Sequence, residues 1–79
     1  MRVLFFAQVK DAVGAAELEI TIFGSVTADE LWSRLVVLKP QLERYRKTTR
    51  LACNGEYADA KTKFSDDDEV ALIPPVSGG

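Results

Sequence analysis

The chain has 79 residues, 47% of them hydrophobic and 28% charged, with a net charge of −2; this describes one small self-folding domain and excludes a second core and a disordered chain. A domain of this size buries only about 60% of its unfolded surface, so it has no room to wall off a deep catalytic cavity, which argues against a self-contained enzyme. Histidine is absent, Cys53 is the single cysteine and the pI is near 5.0, which removes histidine triads, internal disulfides and Cys-rich zinc sites and gives no overall electrostatic reason to seek nucleic acid.

Met1 to Gln8 is a short, nearly continuous apolar run rich in aromatic and branched residues, as expected of a central strand covered on both faces. Val9 to Val13 is long enough for a helical turn or two, and Gly14 stands where a left-handed cap belongs. From Glu17 to Ile22 polar and apolar residues alternate strictly, which predicts a half-buried strand with Leu18, Ile20 and Ile22 on one face. The two strands and their link should form a hairpin.

Thr27-Ala28-Asp29-Glu30 has the spacing of a capping box, with the Thr27 hydroxyl accepting from the Glu30 amide and the Glu30 carboxylate reaching back to the Thr27 amide. The helix that starts there carries Ala28, Leu31, Leu35 and Leu38 as its sheet-facing stripe and ends near Lys39, before Pro40. Trp32 reads as a packing residue at the helix edge, and Leu42 and Tyr45 as one more helical turn. Beyond it, Leu51-Ala52-Cys53 is a short strand, Asn54-Gly55 a tight hairpin turn, and Tyr57-Ala58 the return. Phe64 reads as a single anchor under a loop, Asp66 to Asp68 as a turn, Glu69 to Ile73 as the last strand, and Pro74-Pro75 as its stop. Strand, strand, helix, strand, strand, strand makes an α+β domain: a mixed sheet of about five strands with one main helix on one face.

Side-chain chemistry is sparse. Cys53 sits inside a predicted strand without an activating base and reads as a small core residue. Between Lys39 and Arg50, five basic residues (Lys39, Arg44, Arg46, Lys47, Arg50) face one acid, Glu43; this is a solvated face or a docking patch. Asp66-Asp67-Asp68-Glu69 lacks the spacing and glycine of a calcium loop and reads as a solvated turn. No metal site, phosphate-binding loop or membrane-length apolar run stands out, and Met1-Arg2-Val3 leads straight into strand-like sequence, so no signal peptide or membrane segment is expected.

The end of the chain is different. Val76-Ser77-Gly78-Gly79 follows a hydrophobic strand and a Pro-Pro stop, so a stiff base projects a slim tail. The five residues from Pro75 extend about 17 Å at ~3.3 Å each. Glycine offers no side chain to obstruct passage into a neighbour's interior. A terminal carboxylate is then the one reactive group that another enzyme could activate without handling the rest of the fold.

Met1-Arg2-Val3-Leu4-Phe5-Phe6-Ala7, the Asn54-Gly55 hairpin and the closing run from Asp68 to Gly79 (Asp-Glu-Val-Ala-Leu-Ile-Pro-Pro-Val-Ser-Gly-Gly) resemble the small sulfur-carrier subunits of molybdopterin synthase, a ubiquitin-like β-grasp family. One departure is Asp67, where a glycine is common in the family. The resemblance implies a β-grasp domain over residues 1–74 and a flexible tail over 75–79. It also implies that the Gly79 carboxylate is adenylated with ATP by a ubiquitin-activating-like partner and converted by a sulfur donor to a thiocarboxylate. Gly78, Ser77 and Val76 would thread into the large synthase subunit, where sulfur passes to a cyclic pyranopterin precursor. Phe6, Tyr57, Ile73 and Pro75 are the implied partner-binding residues; from periodicity alone Phe6 and Ile73 are equally well read as buried. No cofactor is bound by the chain itself, no catalytic side chain is its own, and a cytoplasmic heterotetramer is expected, without nucleic acid or membrane. Other terminal-glycine carriers or modifiers, such as a thiamine-pathway carrier, and a noncovalent β-grasp interaction module are the competing readings.

Overall fold

The computed structural model describes residues 1–75. Strand β1 (Arg2–Phe5) leads into helix α1 (Ala7–Val13), β2 (Glu17–Glu19) and β3 (Ser25–Thr27). Helix α2 (Ala28–Leu38) and a 3-10 helix (Pro40–Tyr45) follow, then β4 (Arg50–Cys53), β5 (Glu56–Tyr57), β6 (Lys63–Ser65) and β7 (Glu69–Ile73). Five strands form one mixed sheet in the order β2-β1-β7-β4-β5, in which β1 and β7 run parallel and the other pairs antiparallel. With α2 on one face this is the β-grasp arrangement.

The local signals explain most elements. Gly14 caps α1 at φ 81°, and its N–H donates to the Lys10 carbonyl at 2.9 Å. The capping box is complete, with Glu30 N–H to Thr27 Oγ1 at 3.1 Å and Thr27 N–H to Glu30 Oε1 at 2.9 Å. Pro40 ends α2 and starts the 3-10 helix, whose Leu42 is fully buried. Asn54 and Gly55 turn the β4–β5 hairpin with φ of 51° and 88°, the paired left-handed geometry of a tight turn. Asp67 has no positive φ, so its turn has no need of a glycine.

The core is filled by Val3, Phe5, Val9, Leu31, Leu35, Leu42, Phe64, Val70 and Leu72, none more than about 1% exposed. Four expectations need correction. The first strand is not covered on both faces: it stops at Phe5, its burial alternates, and Arg2 and Leu4 lie on the side away from α2. Phe64 is not under a loop but in β6, opposite Val26 of β3, both buried in a separate two-stranded ladder. Trp32 belongs to the core rather than the helix edge, while Leu38 is 52% exposed, so the buried stripe of α2 is Leu31, Trp32 and Leu35. Cys53 is half-buried and packs against the core from its margin. The alternation from Leu18 to Ile22 holds in burial even though the strand ladder closes at Glu19.

A candidate docking face where the last strand ends

Strand β7 lies mid-sheet, and its alternation sends Val70 and Leu72 to α2 and Glu69, Ala71 and Ile73 to the open side. Among the described residues no helix covers that side. The register places Leu4 of β1 and Ala52 of β4 opposite Ala71, and Tyr57 of β5 opposite Ala52. A low apolar strip, Leu4–Ala71–Ala52–Tyr57, therefore crosses four strands, with Ala52 itself buried between its neighbours. The small alanines in its middle leave it shallow.

One register step nearer the C-terminal end of β7, Ile73 pairs with Arg50. The Arg50 guanidinium carbon stands 3.9 Å from the centroid of the Tyr57 ring, a cation–π contact. Phe6 follows directly on Phe5, which pairs with Leu72, the residue before Ile73. It is 47% exposed and its carbonyl accepts the first α1 bonds from Val9 and Lys10 at 3.1 and 3.2 Å. The following Ala7 takes φ 50°, a left-handed bend that lifts the chain off the β1 path. Pro74 is buried and Pro75 exposed; lacking N–H donors, the two prolines end the ladder.

The structure thus places Phe6, Ile73 and Pro75 toward the end of the sheet where β7 stops, while Tyr57, in register with Ala52, reaches that end through its contact with Arg50. Val76, Ser77, Gly78 and Gly79 lie outside the described residues. Sequence reasoning missed Leu4, Ala71 and Ala52, and saw Arg50 only as part of a basic run. That run is dispersed: Arg46 pairs with Asp29, Arg44 sits 5.6 Å from the Tyr45 ring, and Arg50 joins the docking face.

The opposite end of the sheet is polar and tied together. Arg2 bridges Glu17 at 2.7 Å and Glu69 at 3.1 Å across three strands. The Asn54 side chain donates to Asp68 at 2.9 Å and accepts from the Glu69 N–H at 2.9 Å. The Ser65 N–H, followed by Asn54, holds the Asp68 carboxyl below its usual range. The Ile22 N–H at 2.9 Å and then the Met1 ammonium at 3.1 Å do the same for Asp66. Asp66 and Asp68 are therefore occupied in accepting backbone N–H bonds, and no group of ligands able to hold a metal ion occurs among the described residues. Burial, then Asp68, pushes the Cys53 thiol up, the reverse of what a nucleophile requires. No helix of the described residues is long and apolar enough to cross a membrane.

The family model described as the ThiS family matches residues 3–79. The chain belongs to the ThiS family. It is 33% identical to the molybdopterin synthase sulfur carrier subunit of Chlamydomonas reinhardtii, covering 100% of this chain and 98% of that protein. Among solved structures it is similar to SAMP1, small archaeal modifier protein 1, of Haloferax volcanii, with TM-score 0.86, 29% identity, and coverage of 100% and 98% of the two chains. It also resembles a chain of the complex of subunits 1 and 2 of the molybdopterin-converting factor of Helicobacter pylori, with TM-score 0.69, 25% identity and coverage of 99% and 96%. As a ThiS-family chain its ubiquitin-like β-grasp fold is thus shared with proteins that carry both kinds of name.

Proposed function

We propose that this ThiS-family chain is the sulfur-carrier subunit of a molybdopterin synthase, with residues 75–79 as the tail that does the work. The observation that carries the reading is the end-to-end similarity to a protein of that name, with no large insertion or missing segment. The fold's contribution is positional: β7 runs through the middle of the sheet and ends beside an uncovered apolar face, so a partner gripping that face receives the tail at a fixed place. The likeness to one chain of a two-subunit converting-factor complex supports a large-subunit partner.

In this reading the Gly79 carboxylate attacks the α-phosphorus of ATP in an activating enzyme and releases pyrophosphate. A sulfur donor then displaces AMP from the acyl-adenylate and leaves a thiocarboxylate. The tail, Val76 to Gly79, enters the large subunit, and sulfur passes to the cyclic pterin precursor. The carrier supplies no catalytic side chain, consistent with a chain that has no histidine and whose only thiol is raised in pKa. A second reading, favoured by the likeness to SAMP1, has the activated Gly79 acylate a lysine amine of a target protein.

Intact-mass measurement after incubation with ATP, an activating enzyme and a sulfur source tests the first steps; the expected product has one carboxylate oxygen replaced by sulfur. Addition of the large subunit and pterin precursor should return the original mass with formation of a dithiolene. Removal of Gly79 should abolish both while leaving the melting curve intact. Turnover by the truncated chain would defeat the proposal, and an isopeptide-linked product without pterin conversion would select the modifier reading.

A further inference from the structure

Five large apolar side chains are exposed among the described residues, and they do not all belong to the docking face: Phe6 and Tyr57 do, whereas Val37, Leu38 and Phe23 do not. Val37 is 80% and Leu38 52% exposed. With Arg34 they form the α2 wall of a groove of about 560 Å³, whose other wall is Glu19, Ile20 and Thr21 at the free edge of the sheet. The groove is mainly apolar and lies between α2 and the β2 edge.

Its strand wall offers backbone hydrogen bonds. Ile20 N–H donates to the Met1 carbonyl at 2.9 Å, the Met1 ammonium to the Ile20 carbonyl at 2.7 Å, and Phe5 N–H to the Ala16 carbonyl at 2.8 Å. Antiparallel pairing alternates, so Glu17, Glu19 and Thr21 direct their N–H and C=O groups outward. Among the described residues no strand lies beyond β2 and Thr21 makes no backbone hydrogen bond.

We propose that this groove binds an extended segment of another protein, added as a sixth strand along β2, with alternate apolar side chains on Ile20, Val37 and Leu38 and an acidic residue at Arg34. Strand addition to a free edge takes affinity from backbone bonds and selectivity from alternate side-chain pockets. Charge selects the occupant. Arg34 makes no ion pair among the described residues, whereas Glu19 already faces the Met1 ammonium at 3.9 Å. This site stands independently of the sulfur-carrier reading.

The test is titration of the uniformly ¹⁵N-labelled full chain with a synthetic peptide of alternating valine and serine preceded by two aspartates, followed by amide NMR. Saturable shifts at Glu17–Thr21 and Arg34–Leu38 are expected. Val37→Asp should abolish them, and because Val37 is exposed the rest of the spectrum should stay folded. Arg34→Glu should weaken binding about fivefold, as loss of an exposed ion pair does, and the same peptide with lysines for aspartates should bind correspondingly less well. Absence of shifts at millimolar peptide, shifts confined to Tyr57 and Ile73, or equal binding by Val37→Asp would each overturn the proposal.

Discussion

The guanidinium carbon of Arg50 stands over the ring of Tyr57, 3.9 Å from its centre, while the backbone of Arg50 pairs with Ile73, the last residue of β7. One cation thus braces an exposed aromatic ring beside the point where the tail begins. The ring is 58% exposed, so its packing contributes little to the fold and is available to a partner.

Tyr57→Ala should accordingly cost less than about 1 kcal/mol in urea unfolding, the range of an exposed cation–π contact. It should weaken calorimetric binding to the large synthase subunit about tenfold or more, as truncating an aromatic anchor at an interface does. A large loss of stability with unaltered binding would place Tyr57 in the fold rather than the docking face.

Phe64→Ala should behave in the opposite way. The side chain is fully buried against Val26 and α2, and its removal should cost about 3–5 kcal/mol, a large share of the ~5–15 kcal/mol typical of a domain. Thermal unfolding followed by circular dichroism checks it. A shift of only a few degrees would mean that the β3–β6 ladder is dispensable.

Acid should weaken the fold through the β6–β7 turn. Asp66 and Asp68 are held below their usual pKa by the Ile22 and Ser65 N–H groups, respectively. As pH falls the unfolded chain therefore takes up protons first, near pH 3.9, and the folded chain later. The urea midpoint should be level from pH 7 to about pH 5 and decline below it. Asp68→Asn should start lower and decline less steeply. A midpoint unchanged at pH 2.5 would contradict the assignment.

Cys53 should react slowly. Burial and the Asp68 carboxylate keep its thiol protonated beyond the ordinary cysteine range, so alkylation by iodoacetamide at pH 8 should be slower in the folded chain than in urea. Cys53→Ser should keep sulfur-carrier activity. Loss of activity in a folded Cys53→Ser variant would return the thiol to the mechanism.

Much of this architecture was legible because its signals are local. The Thr27–Glu30 box, Gly14, Asn54-Gly55 and the Leu18-to-Ile22 alternation each depend on residues near in sequence, and each stands where read. The β3–β6 ladder was not legible: its two three-residue strands meet across a separation of nearly forty residues, with one apolar residue apiece to mark them. Phe6 and Phe5 are adjacent and alike, and no pattern in sequence could say that the chain bends at Ala7 and exposes one while burying the other. The docking strip was missed at Leu4, Ala52 and Ala71 because small or ordinary apolar residues acquire that role only through register. The groove on α2 was hidden because Leu38 fits the helical stripe that the structure gives to Trp32.

The parallel pairing of β1 with β7 has a consequence for how the molecule is made. These strands come from opposite ends of the described chain yet sit side by side at the sheet's centre, with the β1–β2 and β4–β5 hairpins on their flanks. Until β7 is synthesised, the two hairpins have no common seam and the core lacks Val70 and Leu72. A nascent chain on the ribosome therefore gains its cooperative structure only once β7 has emerged, and an interrupted polypeptide yields an open, protease-sensitive fragment rather than a smaller folded one.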